Sequence, residues 1–160
     1  HGFDDEGSAF DDKGVQRDWW TADTKAKFLT AADQLNKQYD GYCPFTDKCV
    51  IGKLTTGENI GDLPGLAVAD RAYQLALGGT PAPVSDGYTG AQRFYLGWSQ
   101  SWRWKYRDNN LRMRLVTDPH SPARFRVDGV VTNLEGFYAA FGVDVGDKLY
   151  RTPADRVKIW

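Results

Sequence analysis

The segment GENIGDLPGL (residues 57–66) carries both the longest helix signal of the chain and its most concentrated chemistry. Glu58 and Asp62 stand four residues apart, so on a helix both carboxylates project from one face. Asn59, Ile60 and Leu63 crowd them, and no Lys or Arg lies within a turn. Like charges at that spacing repel. Such a pair is most often a solvated acidic face, but the apolar company here points to a cation close to the two carboxylates. The helix is expected to run from about Gly57 to Leu77, interrupted by Pro64 and ended by Gly78-Gly79.

Upstream, residues 21–39 read as an amphipathic helix with Thr21 as N-cap and Phe28, Leu29, Ala32, Leu35 and Tyr39 on one face. Cys43 and Cys49 follow in YCPFTDKCV (42–50), which has no His and no second Cys pair. A disulfide or free thiols therefore rank ahead of a zinc knuckle, and the pair leans toward an oxidising compartment. VIGKLTTG (50–57) reads as extended.

Downstream, TPAPVSDGYTG (80–90) is a loop by its Pro, Gly and Ser content. A third helix is expected over 91–107, with Phe94, Tyr95, Trp98, Trp102 and Tyr106 along one stripe. A fourth holds NNLRMRLVTD (109–118). DPHSPARFR (118–126) must turn, because Pro119 and Pro122 lack backbone N–H groups, and FRVDGVV (125–131) reads as extended. A last short helix in NLEGFYAAFG (133–142) is expected to be capped by Asn133 and stopped by Gly142. The whole is mainly α-helical, a single unit over 1–160.

The chain has 160 residues, 41% of them hydrophobic, enough for a real core. A formal net charge of −1 gives no general attraction to nucleic acid or anionic membrane, and no apolar run approaches the ~18 residues of a membrane helix. WSQSWRWKYR (98–107) has the composition of a nucleic-acid stacking platform. Its aromatics recur at helical spacing, however, so they are assigned to the core, with Arg103, Lys105 and Arg107 outward.

Two further stretches carry chemistry. In DPHSPARFR, His120 is one of only two histidines and sits in a Pro-stiffened turn, with Arg126 six residues on. Beyond a surface turn with a salt-bridging Arg, the pair has the makings of an imidazole and a guanidinium aimed at a substrate carbonyl or developing oxyanion. In HGFDDEG (1–7), His1 precedes a run of carboxylates that fails EF-hand spacing and carries no calcium assignment.

Taken together, HGFDDEG (1–7), GKLTTGENIGDL (52–63), TDPHSPARFRVDG (117–129) and VKIW (157–160) occur in this order. They resemble the C-terminal end of the neprilysin and endothelin-converting-enzyme family of zinc metallopeptidases (gluzincins), of bacterial type. DWWT, RAYQ and KYRD between them are similar to the family as well, so the resemblance spans essentially the whole chain. Its zinc helix reads H-E-x-x-H followed by G-F-D-D, its second zinc motif G-E-N-I-x-D, and then come D-x-H-S-P-x-x-x-R and a terminal C-x-V-W. Val157 replaces the Cys of that terminal motif.

The resemblance implies a zincin-like catalytic domain fragment and Zn²⁺ as cofactor. It implies His1 and Glu58 as zinc ligands, with His1 the second histidine of H-E-x-x-H. It makes Asp4 the carboxylate orienting a zinc histidine, Asp62 the residue steadying the catalytic histidine, His120 the stabiliser of the tetrahedral intermediate and Arg126 the holder of a substrate backbone carbonyl. The first His ligand and the general-base Glu would precede His1, so this chain alone is expected to be inactive, while its parent cleaves peptides. Peptide substrates, the missing N-terminal part of the same protein and self-association of the isolated piece are the expected partners. The expected location is periplasmic, secreted or at the cell envelope, with no nucleic acid or membrane contact from this segment. The rival expectation is a non-catalytic, aromatic-rich module binding peptide or carbohydrate, whose Trp fluorescence would respond to ligand but not to zinc.

Overall fold

The computed structural model describes residues 1–160. Helix α1 (Ala22–Asp40) begins where Thr21 accepts a hydrogen bond from the Thr24 N–H, and it buries Phe28, Ala32, Leu35 and Tyr39. Leu29, expected on that face, is exposed instead. A disulfide joins Cys43 and Cys49 in the following loop.

Helix α2 (Thr56–Ala76) passes through Pro64 without a break. Pro64 costs the Ile60 carbonyl its partner, but Asn59, Ile60, Asp62, Leu63 and Leu66 are all buried along the helix. Packing against α1 and the later α5 (Ala123–Val131) therefore outweighs local propensity. Gly78 and Gly79 follow its end with φ of 57° and 83°, as a glycine stop requires.

Helix α3 (Gly90–Ser101) opens with a capping box of Thr89 and Gln92. It is shorter than expected: Trp102 is already its C-cap, and Trp104 and Tyr106 lie on the irregular segment after it. Trp104 is exposed rather than core. Arg103, Lys105 and Arg107 face outward as expected. Helix α4 (Asp108–Thr117) leads into the Pro-flanked turn.

The segment 125–131 is not extended but lies inside α5. Its valines suggest a strand, yet the chain offers no strand to pair with, only isolated bridges such as Phe45 with Lys48. Val130 and Val131 instead enter the core from a helix. VIGKLTTG likewise forms turns leading into α2. Helix α6 (Glu135–Phe141) is preceded by Leu134 as N-cap rather than Asn133. Asn133 is engaged elsewhere: its amide donates to Gln38 Oε1 (3.0 Å) and the Gly129 carbonyl (2.8 Å), and its Oδ1 accepts from the Val157 N–H (2.8 Å). Gly142 ends α6 with φ 63°.

The architecture is mainly helical, as expected, with α2 and α5 packed together over α1, and α3 against α5 and α6. The C-terminal tail returns to the start of the chain, where Trp160 stacks on Phe28 (5.5 Å between centroids) and meets Phe3 edge-on (5.9 Å). No helix is long and apolar enough to cross a membrane.

Candidate metal and substrate site

Glu58 is the hub of the site. It lies in the first turn of α2, and Asp62 one turn later shares its face. The cation that the spacing called for is supplied by the chain itself, from α5. Arg126 donates through Nε to Asp62 Oδ2 (2.6 Å) and through Nη2 to Asp62 Oδ1 (2.7 Å), with a longer bond to Glu58 Oε2 (3.4 Å). This is a bidentate guanidinium–carboxylate pair. Its guanidinium lies 4.1 Å from the centre of the Trp102 ring, and its carbonyl accepts from Trp98 Nε1 (3.2 Å).

The pair is buried, and burial acts on its two members differently. Burial pushes the Asp62 carboxyl up, and the hydrogen bonds and charge of Arg126 offset this only in part. At Arg126 burial works against the charged form, but the Asp62 hydrogen bonds and charge outweigh it and the guanidinium is held more firmly protonated.

His120 reaches Glu58 from the other side. Its Nε2 is 3.2 Å from Glu58 Oε2, and its Nδ1 is 2.8 Å from Asp118 Oδ1. The same Asp118 oxygen accepts the His120 backbone N–H at 2.8 Å. A carboxylate has no proton to give, so Nδ1 is the donor and Nε2 is presented to the site. The turn is pinned beyond His120 by Ser121, whose hydroxyl donates to Asn59 Oδ1 (2.8 Å), while the Asn59 amide donates to Thr55 Oγ1 (2.9 Å). Asn59 is fully buried. Burial alone would raise the Asp118 carboxyl, but the His120 backbone and side-chain bonds and the Arg114 charge more than reverse it, leaving it low.

Asp62, expected to steady the catalytic histidine, is bonded to Arg126 instead; the carboxylate against His120 is Asp118. Its signal is local: an Asp two residues before a histidine in a Pro-flanked turn, able to bond both the backbone and the side chain of that histidine.

His1 approaches the third side of Glu58. Its Nδ1 is 2.6 Å from Asp4 Oδ2, so Nε2 is left facing Glu58 Oε1 at 3.8 Å. Asp4 is itself fixed, since its Oδ1 accepts the backbone N–H groups of Glu6 (3.0 Å) and Gly7 (2.8 Å). The ring lies over α2 at Gly61, where an added Cβ would stand 3.1 Å from His1 Cε1. One imidazole nitrogen and one carboxylate oxygen are a donor set that suits Zn²⁺. Two such bonds of about 2.0–2.1 Å at a tetrahedral angle separate their ligands by roughly 3.4 Å. The His1–Glu58 separation of 3.8 Å is wider than that, so the two groups would have to close slightly on a metal, while Asp4 on the far nitrogen is the partner such a histidine takes. These are two ligands; no third His, Cys, Asp or Glu converges on the same point.

A family model described as peptidase family M13 matches residues 1–157. Over its whole length the chain is 39% identical to neprilysin-1 of Caenorhabditis elegans and 34% identical to human endothelin-converting enzyme-like 1, covering 22% and 21% of those proteins. Among solved structures it superposes on the inhibitor complex of Mycobacterium tuberculosis zinc metalloprotease Zmp1 with a TM-score of 0.97 at 48% identity, covering 25% of that chain. PepO of Lactobacillus rhamnosis gives 0.83 at 33% identity, with 24% covered. The chain thus spans about a fifth of the length of the curated relatives it matches.

Proposed function

The chain belongs to peptidase family M13, and from that premise we propose that it is the C-terminal part of a zinc metalloendopeptidase, supplying two zinc ligands and the substrate-binding side of the catalytic centre. The observation that carries this reading is the convergence on one carboxylate, Glu58, of three groups from the two ends of the motif set, His1 at the start of the chain and His120 and Arg126 in residues 118–126.

His1 and Glu58 would hold the zinc, which when bound supplies a Lewis acid that polarises the scissile carbonyl and acidifies a water. Asp4 orients His1 by holding Nδ1. His120 donates through Nδ1 to Asp118, and in its doubly protonated form it would also donate through Nε2, to the oxyanion that develops on the substrate carbonyl. Arg126 is kept charged and immobile by Asp62 and offers its remaining N–H capacity to a backbone carbonyl of the bound peptide.

None of these side chains is free to take the proton of the attacking water. Glu58 is committed to the metal, Asp62 to Arg126 and Asp118 to His120. The base and the third ligand would come from sequence upstream of His1, so the isolated chain is expected to be inactive. The groove of about 550 Å³ beside His1, lined by Phe3, Pro64, Val68 and Trp160 among others, would be covered by the rest of the same protein, or by a second copy when the piece is alone. A location outside the cytoplasm, periplasmic, secreted or at the envelope, accords with the Cys43–Cys49 disulfide.

The test is peptide hydrolysis by the intact protein with and without chelator, and with Glu58→Ala. Both are expected to reduce kcat/KM by about a thousandfold or more, the loss of a metal's charge stabilisation. Hydrolysis indifferent to both would overturn the assignment. Hydrolysis by the 160-residue chain alone, sensitive to both, would overturn the inactivity of the piece.

A further inference from the structure

Arg114 lies on the last turn of α4, outside every motif that marks the site. Its Nη2 is 2.6 Å from Asp118 Oδ2, the oxygen that His120 leaves unused. Its guanidinium also lies 5.5 Å from the centre of the Tyr106 ring, and the Tyr106 hydroxyl accepts the Ala123 N–H (3.2 Å) at the start of α5. The cavity bordered by Arg114, Asp118, His120 and Pro122 holds only about 10 Å³. That is at or below the space of a single water, so the contact between the two charges is direct.

From this arrangement we infer that Arg114 is a positioning residue for His120, acting through Asp118 and resting on the peptidase reading above. The carboxylate has two oxygens and two tasks. Oδ1 takes both N–H groups of His120, and Oδ2 takes Arg114. The torsion that turns an Asp carboxyl plane is broad and twofold, so Oδ1 alone leaves the plane free to swing. Asp118 is also the C-cap of α4, where the helix dipole disfavours a negative charge. Arg114 fixes the plane and offsets that charge. The imidazole is then held with Nε2 toward the site rather than merely near it.

The turn does not need Arg114 in order to form. Ser121 pins it to Asn59, and Ala123 pins it to Tyr106. Loss of Arg114 is therefore expected to loosen the imidazole while the fold persists. Because His120 acts on charge that develops in the transition state, the loss falls on kcat and leaves KM nearly alone.

The experiment compares Arg114→Met, which keeps the length of the side chain without its charge, with Arg114→Lys. In the intact enzyme, Arg114→Met is expected to lower kcat about tenfold with KM within about twofold, one charge-assisted hydrogen bond's worth. Arg114→Lys is expected to recover most of the loss. In parallel, the 160-residue chain is labelled with ¹⁵N-histidine; it has only two histidines, so the rings are readily assigned. The Nδ1–H signal of His120 is expected to be sharp in the parent and in Arg114→Lys, and exchange-broadened in Arg114→Met. A Met variant with unchanged kcat, or one that raises KM alone, overturns the inference, as does an unchanged Nδ1–H signal. If the intact protein shows no chelator-sensitive hydrolysis, the peptidase reading fails, and the imidazole signal still decides the role of Arg114.

Discussion

His1 and Arg126 both reach Glu58, but the two limbs of the site are built on different scales. Arg126 is bonded to residues 64 and 68 positions away, its side chain is only 12% exposed, and it is wedged between α2 and the Trp102 ring. His1 is 62% exposed and takes its orientation from Asp4, three residues along the chain. The Arg126 limb is thus a product of the packed core, and disturbing it disturbs the fold. The His1 limb is a local turn laid against the outside of α2. Disturbing it should change the geometry around Glu58 with little effect on stability.

The sharpest break of this contrast is Asp62→Ala. It leaves the Arg126 charge buried with only the long contact to Glu58, and removing one partner of a buried pair typically costs about 3–5 kcal/mol. Denaturant unfolding should show a loss of that order. A loss of that size measures the cation left stranded by removal of its partner rather than the net worth of the pair. An unfolding midpoint within about 1 kcal/mol of the parent would mean that the Arg126 limb is no more tied to the core than His1 is.

A second test sharpens the comparison one layer further out, at Gly129. In an ordinary helix interior, Gly→Ala gains about 1 kcal/mol. Here α5 rides so close to α1 that a Cβ at Gly129 would lie 2.6 Å from both Cζ and Oη of Tyr39. Tyr39 is fully buried and its hydroxyl donates to the Phe125 carbonyl (3.2 Å), next to Arg126, so it has nowhere to retreat. Gly129→Ala should therefore destabilise by about 1–3 kcal/mol through overpacking. A thermal scan showing equal or higher stability would mean that α5 can shift, and with it Arg126.

How much of this was legible depended on whether the signal was local. Glu58 and Asp62 announce themselves by helical spacing in apolar company, and His120 by a Pro-stiffened turn. His1, Asp4 and Arg126 were singled out by their motifs. The partners were harder to assign. Nothing in the sequence says that the cation near Glu58 and Asp62 is Arg126, because that contact exists only once α5 lies on α2. The same holds for Asp62, whose bonds to Arg126 likewise form only when α5 lies on α2. The helical state of 123–131 was hidden by its valines, whose strand preference had no strand to satisfy. The unbroken α2 is hidden by Pro64, whose local cost is outweighed by six buried residues on the same helix. Asn133 has the look of a cap because caps are local, whereas two of its three side-chain bonds span 24 and 95 positions.

The smallest expected effect belongs to the His1 limb, and it is the most selective. Asp4→Asn keeps an acceptor for the Glu6 and Gly7 N–H groups while removing the charge that holds His1 Nδ1. With the amide nitrogen turned toward the ring, Nδ1 must become the acceptor, which puts the proton on Nε2, the atom that faces Glu58. In the zinc-binding role proposed for His1, that atom must be unprotonated. Loss of such an outer partner lowers metal affinity by about ten- to a hundredfold. Zinc titration of the intact protein should therefore weaken by at least about tenfold, some 1.4 kcal/mol, while denaturant unfolding of the metal-free protein stays within about 1 kcal/mol of the parent. Equal losses in affinity and in metal-free stability would erase the distinction between the two limbs, because His1 would then be held by the core after all.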